Sequence, residues 1–382
     1  MGKIQFLFAA ALLSASCDFL WNPFQGPNPD YCAPGSPDCP ILLADGGVVD
    51  AAVEPDASVP IDGSVPIDGA TPPDMVCNPG PASPWVADPS PPGSTTIALS
   101  GVTGNGAGDI WVVGPPAYAA HHDTNWNTIS LSLLITSVGR MVYAPKQAQA
   151  MAIGASLSGG EIVYLNKTSA PLPDLVTFAP EVLTGIWVSP APESIPYAVG
   201  SAGSLNNYAN GIIWLTTSTA GPSRIKGISG LGTGSATTVW GASALDNLVT
   251  TYSFNTGTWR MLTTGTSAFN SVFVNANTGV VLVGNNGVIM TAAATVPPIG
   301  PLVPATSPTT STLTDVAGTA DGKHLFAVGA GGRLLHWEST CRRWTVETSP
   351  TTQDLNALWI SDAENTVWAV GNAGTLIHRG IP

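Results

Sequence analysis

One short pattern recurs seven times along the chain and leaves little choice of fold. It is clearest near the C-terminus. Leu325-Phe326-Ala327-Val328-Gly329 is followed by Gly332-Arg333-Leu334-Leu335-His336-Trp337. Val367-Trp368-Ala369-Val370-Gly371 is followed by Gly374-Thr375-Leu376-Ile377-His378-Arg379. Upstream, the same apolar run ends in a small residue at Gly114, Gly154, Gly200, Ser243 and Gly284, so the intervals up to Gly371 are 40, 46, 43, 41, 45 and 42 residues. A repeat of roughly 40–50 residues that holds several short β-rich runs is the signature of a propeller blade. The apolar runs are near-continuous rather than alternating, as expected of strands covered on both faces. The spacing therefore predicts an all-β, seven-bladed β-propeller. The small residue ending each run is expected to permit a tight turn. Ser243 breaks the glycine pattern in blade four.

The seventh copy has no fourth strand after it. In other copies that strand begins near a Trp: Trp126, Trp259 or Trp344. Trp85-Val86-Ala87 lies at the matching distance before the first copy. It is therefore expected to supply the outer strand of blade seven and close the ring without open sheet edges. This puts the start of the propeller at residue 85 and its extent at 85–382.

Residues 18–84 read differently. They carry ten acidic residues and no Lys or Arg, many prolines, and the direct repeat Ser58–Gly63 and Ser64–Gly69. Such a segment has too little apolar area to offset the entropy of ordering, so a disordered, extended tether is expected. Asp62-Gly63 and Asp68-Gly69 lack the alternating acidic ligands of a calcium loop. Of the net charge of -13, this tether carries -10, so the acidity says little about the folded part. With 12 Lys and Arg against 25 Asp and Glu, the chain is no polybasic nucleic-acid binder.

Before the tether, Lys3 precedes the apolar run Ile4–Leu13, then Ser14-Ala15-Ser16 and Cys17. The run is too short to span the ~30 Å hydrocarbon core of a bilayer. Residues 1–17 resemble a bacterial lipoprotein signal, in which the Cys becomes the lipidated N-terminus. Ser14 stands where that pattern usually has Leu, and plain signal cleavage before Cys17 is the alternative. The resemblance implies export, with membrane attachment through lipid on Cys17 at the outer membrane or periplasmic face of a bacterial envelope, or secretion otherwise. An oxidising compartment makes disulfides expected among Cys32, Cys39, Cys77 and Cys341. Four cysteines allow three pairings. Cys32 and Cys39 flank a short turn-rich loop, which would leave Cys77 to pair with Cys341 across neighbouring blades. Free or differently paired thiols are the alternative.

The repeats themselves resemble those of Gly/Trp-rich propellers in myxobacterial-type lipoproteins, with a W-A-V-G-x-x-G core. More distantly they resemble photosystem II assembly-factor and Asp-box propellers. Only 313–345 and 354–380 match the core closely. The Asp-box motif is poorly met at Ser253–Trp259, which is one residue short and has Asn255 in place of Asp. The resemblance implies a fold and a compartment, not an activity.

His121, His336 and His378 each fall seven residues after the small residue, in blades that adjoin once the ring closes. A zinc needs its ligand nitrogens about 2.0–2.1 Å from one point. Equivalent strands of stacked sheets lie on the order of 10 Å apart, so these residues are expected to bond within their own blades. No Gly-x-Ser-x-Gly elbow, His-Glu-x-x-His or phosphate-binding loop occurs. Glu161, Asp246, Asp315 and Asp362 share no spacing. Arg342-Arg343 is expected to solvate an outer turn. The expectation is a non-enzymatic, lipid-anchored propeller that presents a surface to a protein or a glycan. It has no assigned catalytic, metal or ligand-binding residue, and no cofactor. The alternative is an envelope hydrolase or lyase working at the mouth of the central channel.

Overall fold

The computed structural model describes residues 83–381, except residue 107 and the segments 132–134, 145–148, 157–158, 166–174, 178–180, 191–193, 210–212, 219–224, 244–247, 254, 264–267 and 294–300. Cys17, Cys32, Cys39, Cys77 and the tether up to residue 82 lie outside the described residues, as does Asp246.

Among the described residues, 28 strands form seven four-stranded antiparallel sheets. Blades one to six each use four consecutive strands. Blade seven takes Leu355–Ser361, Thr366–Gly371 and Leu376–Gly380 from the C-terminal end and Val86–Ala87 from the N-terminal end. Val86 pairs with His378 and Ala87 with Ile377, and the Asp88 amide extends the ladder to the Leu376 carbonyl at 2.9 Å. The inner strands are Gly101–Gly104, Ile135–Ala144, Leu183–Val188, Ile225–Leu231, Phe269–Asn275, Leu313–Gly318 and Leu355–Ser361. Each touches the next, and the seventh touches the first, so the described residues form a closed seven-bladed propeller.

The core is divided into seven seams, one between each pair of blades. The second strand of blade seven shows why its sequence is apolar throughout. Val367 and Ala369 pack toward blade six, and Trp368 and Val370 toward blade one. Because successive side chains of a strand alternate in direction, a strand covered on both sides must be apolar at every position. Trp111 and Val113 likewise face blade two, and Ile110 and Val112 face blade seven.

The recurring glycine has a different cause from the expected turn. Gly284, Gly329 and Gly371 are extended, with φ of -163°, -174° and -159°, a conformation open to any residue. What excludes a side chain is proximity. A Cβ on Gly329 would collide with the Thr312 carbonyl oxygen just before the inner strand of the same blade, and Gly284 and Gly371 meet Ala268 and Asp354 in the same way. The turn itself is made by two left-handed residues, the second of them Gly287, Gly332 or Gly374 at φ near +70°. Gly329→Ala is therefore expected to destabilise the propeller by about 3 kcal/mol through enforced backbone displacement. Gly331→Ala, where a Cβ would meet nothing within 4 Å, is expected to cost only the roughly 1–2 kcal/mol of a left-handed residue. Urea midpoints at unchanged slope measure both, and equal shifts would refute the proximity argument.

A second device repeats on the inner strands. In blades two to seven the ladder slips at the second residue: Thr136, Thr184, Lys226, Asn270, Thr314 and Asn356. A bulge re-aims the side chain it carries. In the later blades that side chain reaches the next blade. Asn270 Nδ2 donates to the Leu313 carbonyl at 2.8 Å, Thr314 Oγ1 to Leu355 at 2.5 Å, and Asn356 Nδ2 to Leu99 at 2.8 Å. These bonds join residues at equal depth, so the inner strands of these blades run side by side in one direction.

Candidate functional site at the central channel

The inner strands enclose a channel with a cavity volume of about 470 Å³, lined by residues from all seven blades. Much of the wall is small or aliphatic, as at Gly101, Thr103, Ser229 and Ala357. The two ends differ. Where the strands finish stand Trp187, Phe273 and Trp359, with Asp362 just beyond. Where they begin is a charged cluster.

Arg140 organises that cluster. It sits in a further bulge of blade two, where Val138 and Met141 pair with Gly154 and Ala152, leaving Gly139 and Arg140 out of step. The displaced side chain crosses the channel to blades five and six. Its Nη1 donates to Asp315 Oδ1 at 3.1 Å, and its Nη2 approaches the Asn270 and Thr314 carbonyls at 3.4 and 3.5 Å. Both oxygens of the buried Asp315 are engaged. Oδ1 also accepts from Ser271 Oγ at 2.6 Å, and Oδ2 accepts the Leu358 amide at 2.9 Å. Lys226 Nζ donates to Asn270 Oδ1 at 3.0 Å. Burial beside the channel and then the charge of Arg140 push the Lys226 amine below its ordinary value, offset in part by Asp315, although the residue remains open to solvent.

The three aligned histidines serve their own blades. Each packs against a second-strand ring and meets a carboxylate. His121 lies 4.1 Å from the Trp111 ring with its Nε2 2.7 Å from Asp109. His336 lies 4.5 Å from Phe326 with Nδ1 3.2 Å from Glu347. His378 lies 4.6 Å from Trp368 with Nδ1 2.6 Å from Asp88. Among the described residues no group of three or more His, Cys, Asp or Glu side chains gathers to hold a metal. Asp362 accepts the Ala320 amide at 2.9 Å, and Glu161 is buried in the third strand of blade two. Arg342 occupies a left-handed turn position between the last two strands of blade six, next to Cys341, which is disulfide-bonded.

Sequence reasoning passed over Arg140 and Lys226 and saw no common feature in Asp315. A signal existed for Asp315. It occupies the third inner-strand position, where the other bulged blades carry Ser137, Gly185, Gly227, Ser271 and Ala357. A carboxylate in a column of small residues marks a place where that blade does something the others do not.

Among the solved structures of similar architecture are two of YCF48. One is described as YCF48 bound to D1 peptide; it has a TM-score of 0.61 at 13% identity and covers 79% of this chain and 98% of its own. The other, YCF48 from Cyanidioschyzon merolae, has a TM-score of 0.60 at 15% identity and covers 78% and 99%. At such identities the likeness is one of fold. No family model and no curated protein matches the chain.

Proposed function

We propose that this protein is a non-enzymatic cell-envelope lipoprotein, anchored through Cys17, whose propeller uses the channel as a binding surface for a segment of another protein. One observation carries the binding reading. Among the described residues, the acid buried in the channel wall is Asp315, and both its oxygens are committed to Arg140, Ser271 and the Leu358 amide. A general base needs an oxygen within reach of the proton it takes, and a carboxylate so engaged acts as a positioning element instead. The channel around it combines apolar wall, aromatic rings and a few convergent polar groups, the make-up of a recognition site. A protein partner is favoured over a glycan because a solved propeller of the same fold is described with a peptide bound.

Two measurements test the reading. Cys17→Ser is expected to move the protein from the membrane to the soluble fraction, since acyl chains contribute ~0.8 kcal/mol per buried methylene; unchanged partitioning would remove the anchor. A photo-crosslinking residue at Val188, on the channel wall, is expected to capture an envelope protein. The same residue at Met261, exposed on the outer strand of blade four, is expected to capture none. Capture from 261 alone would place the binding surface on the rim and overturn the channel reading.

A further inference from the structure

The charged end of the channel is not neutral. Arg140 and Asp315 line it, and Lys226, held on Asn270 beside them, adds a second cation against the single negative charge of Asp315. Among the described residues neither cation is used up. A guanidinium has five N–H donors and an ammonium three. Arg140 places one on Asp315 and aims longer bonds at two carbonyls, while Lys226 places one on Asn270. Arg140 keeps 24% of its side chain accessible, against 9% for Asp315. Burial chiefly, and then the nearby charge of Arg140, lower the Lys226 amine.

We propose that this end of the channel is a receptor for a single carboxylate of a bound peptide, gripped between Arg140 and Lys226. The inference rests on the peptide-binding reading above and names the chemistry of the partner. The charge count selects the ligand. One uncompensated cation matches a monoanion, whereas a phosphate dianion would leave excess negative charge beside the buried Asp315. Asp315 holds Arg140 across the channel from the opposite wall, so the guanidinium is already oriented before the ligand arrives, which lowers the ordering that binding must supply. Next to the carboxylate, Ile186, Ile228 and Val272 line the wall, so an apolar side chain adjacent to the acid completes the fit.

The test uses the full-length protein on a randomised peptide array. Each sequence is printed in three forms: with Asp or Glu, with the Asn or Gln counterpart, and with phosphoserine at the acidic position. The acidic form is expected to bind about tenfold or more above its amide counterpart, the equivalent of one charge-assisted hydrogen bond. Lys226→Gln can still donate to Asn270 and is expected to fold normally while losing most of that preference. Arg140→Gln is expected to lose it too, with a melting measurement to separate misfolding from lost recognition. Equal binding of acid and amide forms, or a preference that survives in Lys226→Gln, overturns the carboxylate receptor and leaves the channel as a peptide site. Stronger binding of phosphoserine overturns the monoanion argument. Binding of no peptide at all overturns both readings.

Discussion

Deleting Ser83–Ser90 is expected to abolish cooperative unfolding of the propeller or leave it aggregated at ambient temperature. The deletion removes Val86–Ala87, the outer strand of blade seven, and exposes the edge of Leu376–Gly380. It also removes Trp85, which is 7% exposed, packs edge-on against Phe326 with centroids 6.3 Å apart, and belongs to the seam between blades six and seven. Loss of a buried Trp costs about 3–5 kcal/mol on its own, and the lost strand pairing adds to it. A domain with a total stability of about 5–15 kcal/mol has little left after that. A chain beginning at Ile97 that melts like the intact protein would refute closure by this strand. The same segment is expected to be stapled. Cys341 is disulfide-bonded, and Cys77 lies eight residues before Trp85. Non-reducing peptide mapping is expected to return a Cys77–Cys341 link, worth up to ~5 kcal/mol in the loop-entropy model. A different partner for Cys341 would remove the staple.

Glu347→Ala is expected to destabilise the ring by about 3–5 kcal/mol, the effect of stripping one partner from a buried ion pair. Glu347 ends the outer strand of blade six and joins the two chain ends. Its Oε2 accepts Trp85 Nε1 at 2.5 Å, and its Oε1 pairs with Arg379 Nη1 and with His336 Nδ1 at 3.2 Å. The Arg379 side chain is only 1% exposed, lies over the Phe326 ring, and among the described residues has no partner for Nη2. Without Glu347 its charge would be buried alone. Burial by itself would raise the Glu347 pKa, but the bond from His336, the charge and bond of Arg379 and the Trp85 N–H together lower it from 4.5 to about 2. A carboxyl depressed on folding stabilises the protein fully above its unfolded pKa and ceases to do so as pH falls through its folded value. Between pH 5 and pH 2 the intact protein is therefore expected to lose about 3 kcal/mol that Glu347→Gln does not lose. Parallel pH profiles for the two proteins would sink this account.

Much of the architecture was legible in the residues. The number of blades, their order and the N-terminal closing strand follow from a local pattern, because every second strand must be apolar on both faces. Contacts between neighbouring blades recur at near-constant sequence offsets, such as the 43 residues from Asn270 to Leu313 and the 41 from Thr314 to Leu355. The histidines were legible for the same reason, since each bonds within its own blade. Two features were not. From the sequence the motif glycine reads as a turn residue, but its extended φ and the nearby carbonyl exist only once inner and second strands are paired. The channel cluster depends on Arg140 reaching Asp315 across 175 residues and across the ring, and Glu347 meets Trp85 across 262. Both separations are close to whole numbers of repeats, four and six, yet among the described residues the contacts themselves are not repeated in the other blades. A repeat specifies what each blade does to its neighbour; what faces what across the channel, and what meets at the seam of the two chain ends, is decided only when the ring closes.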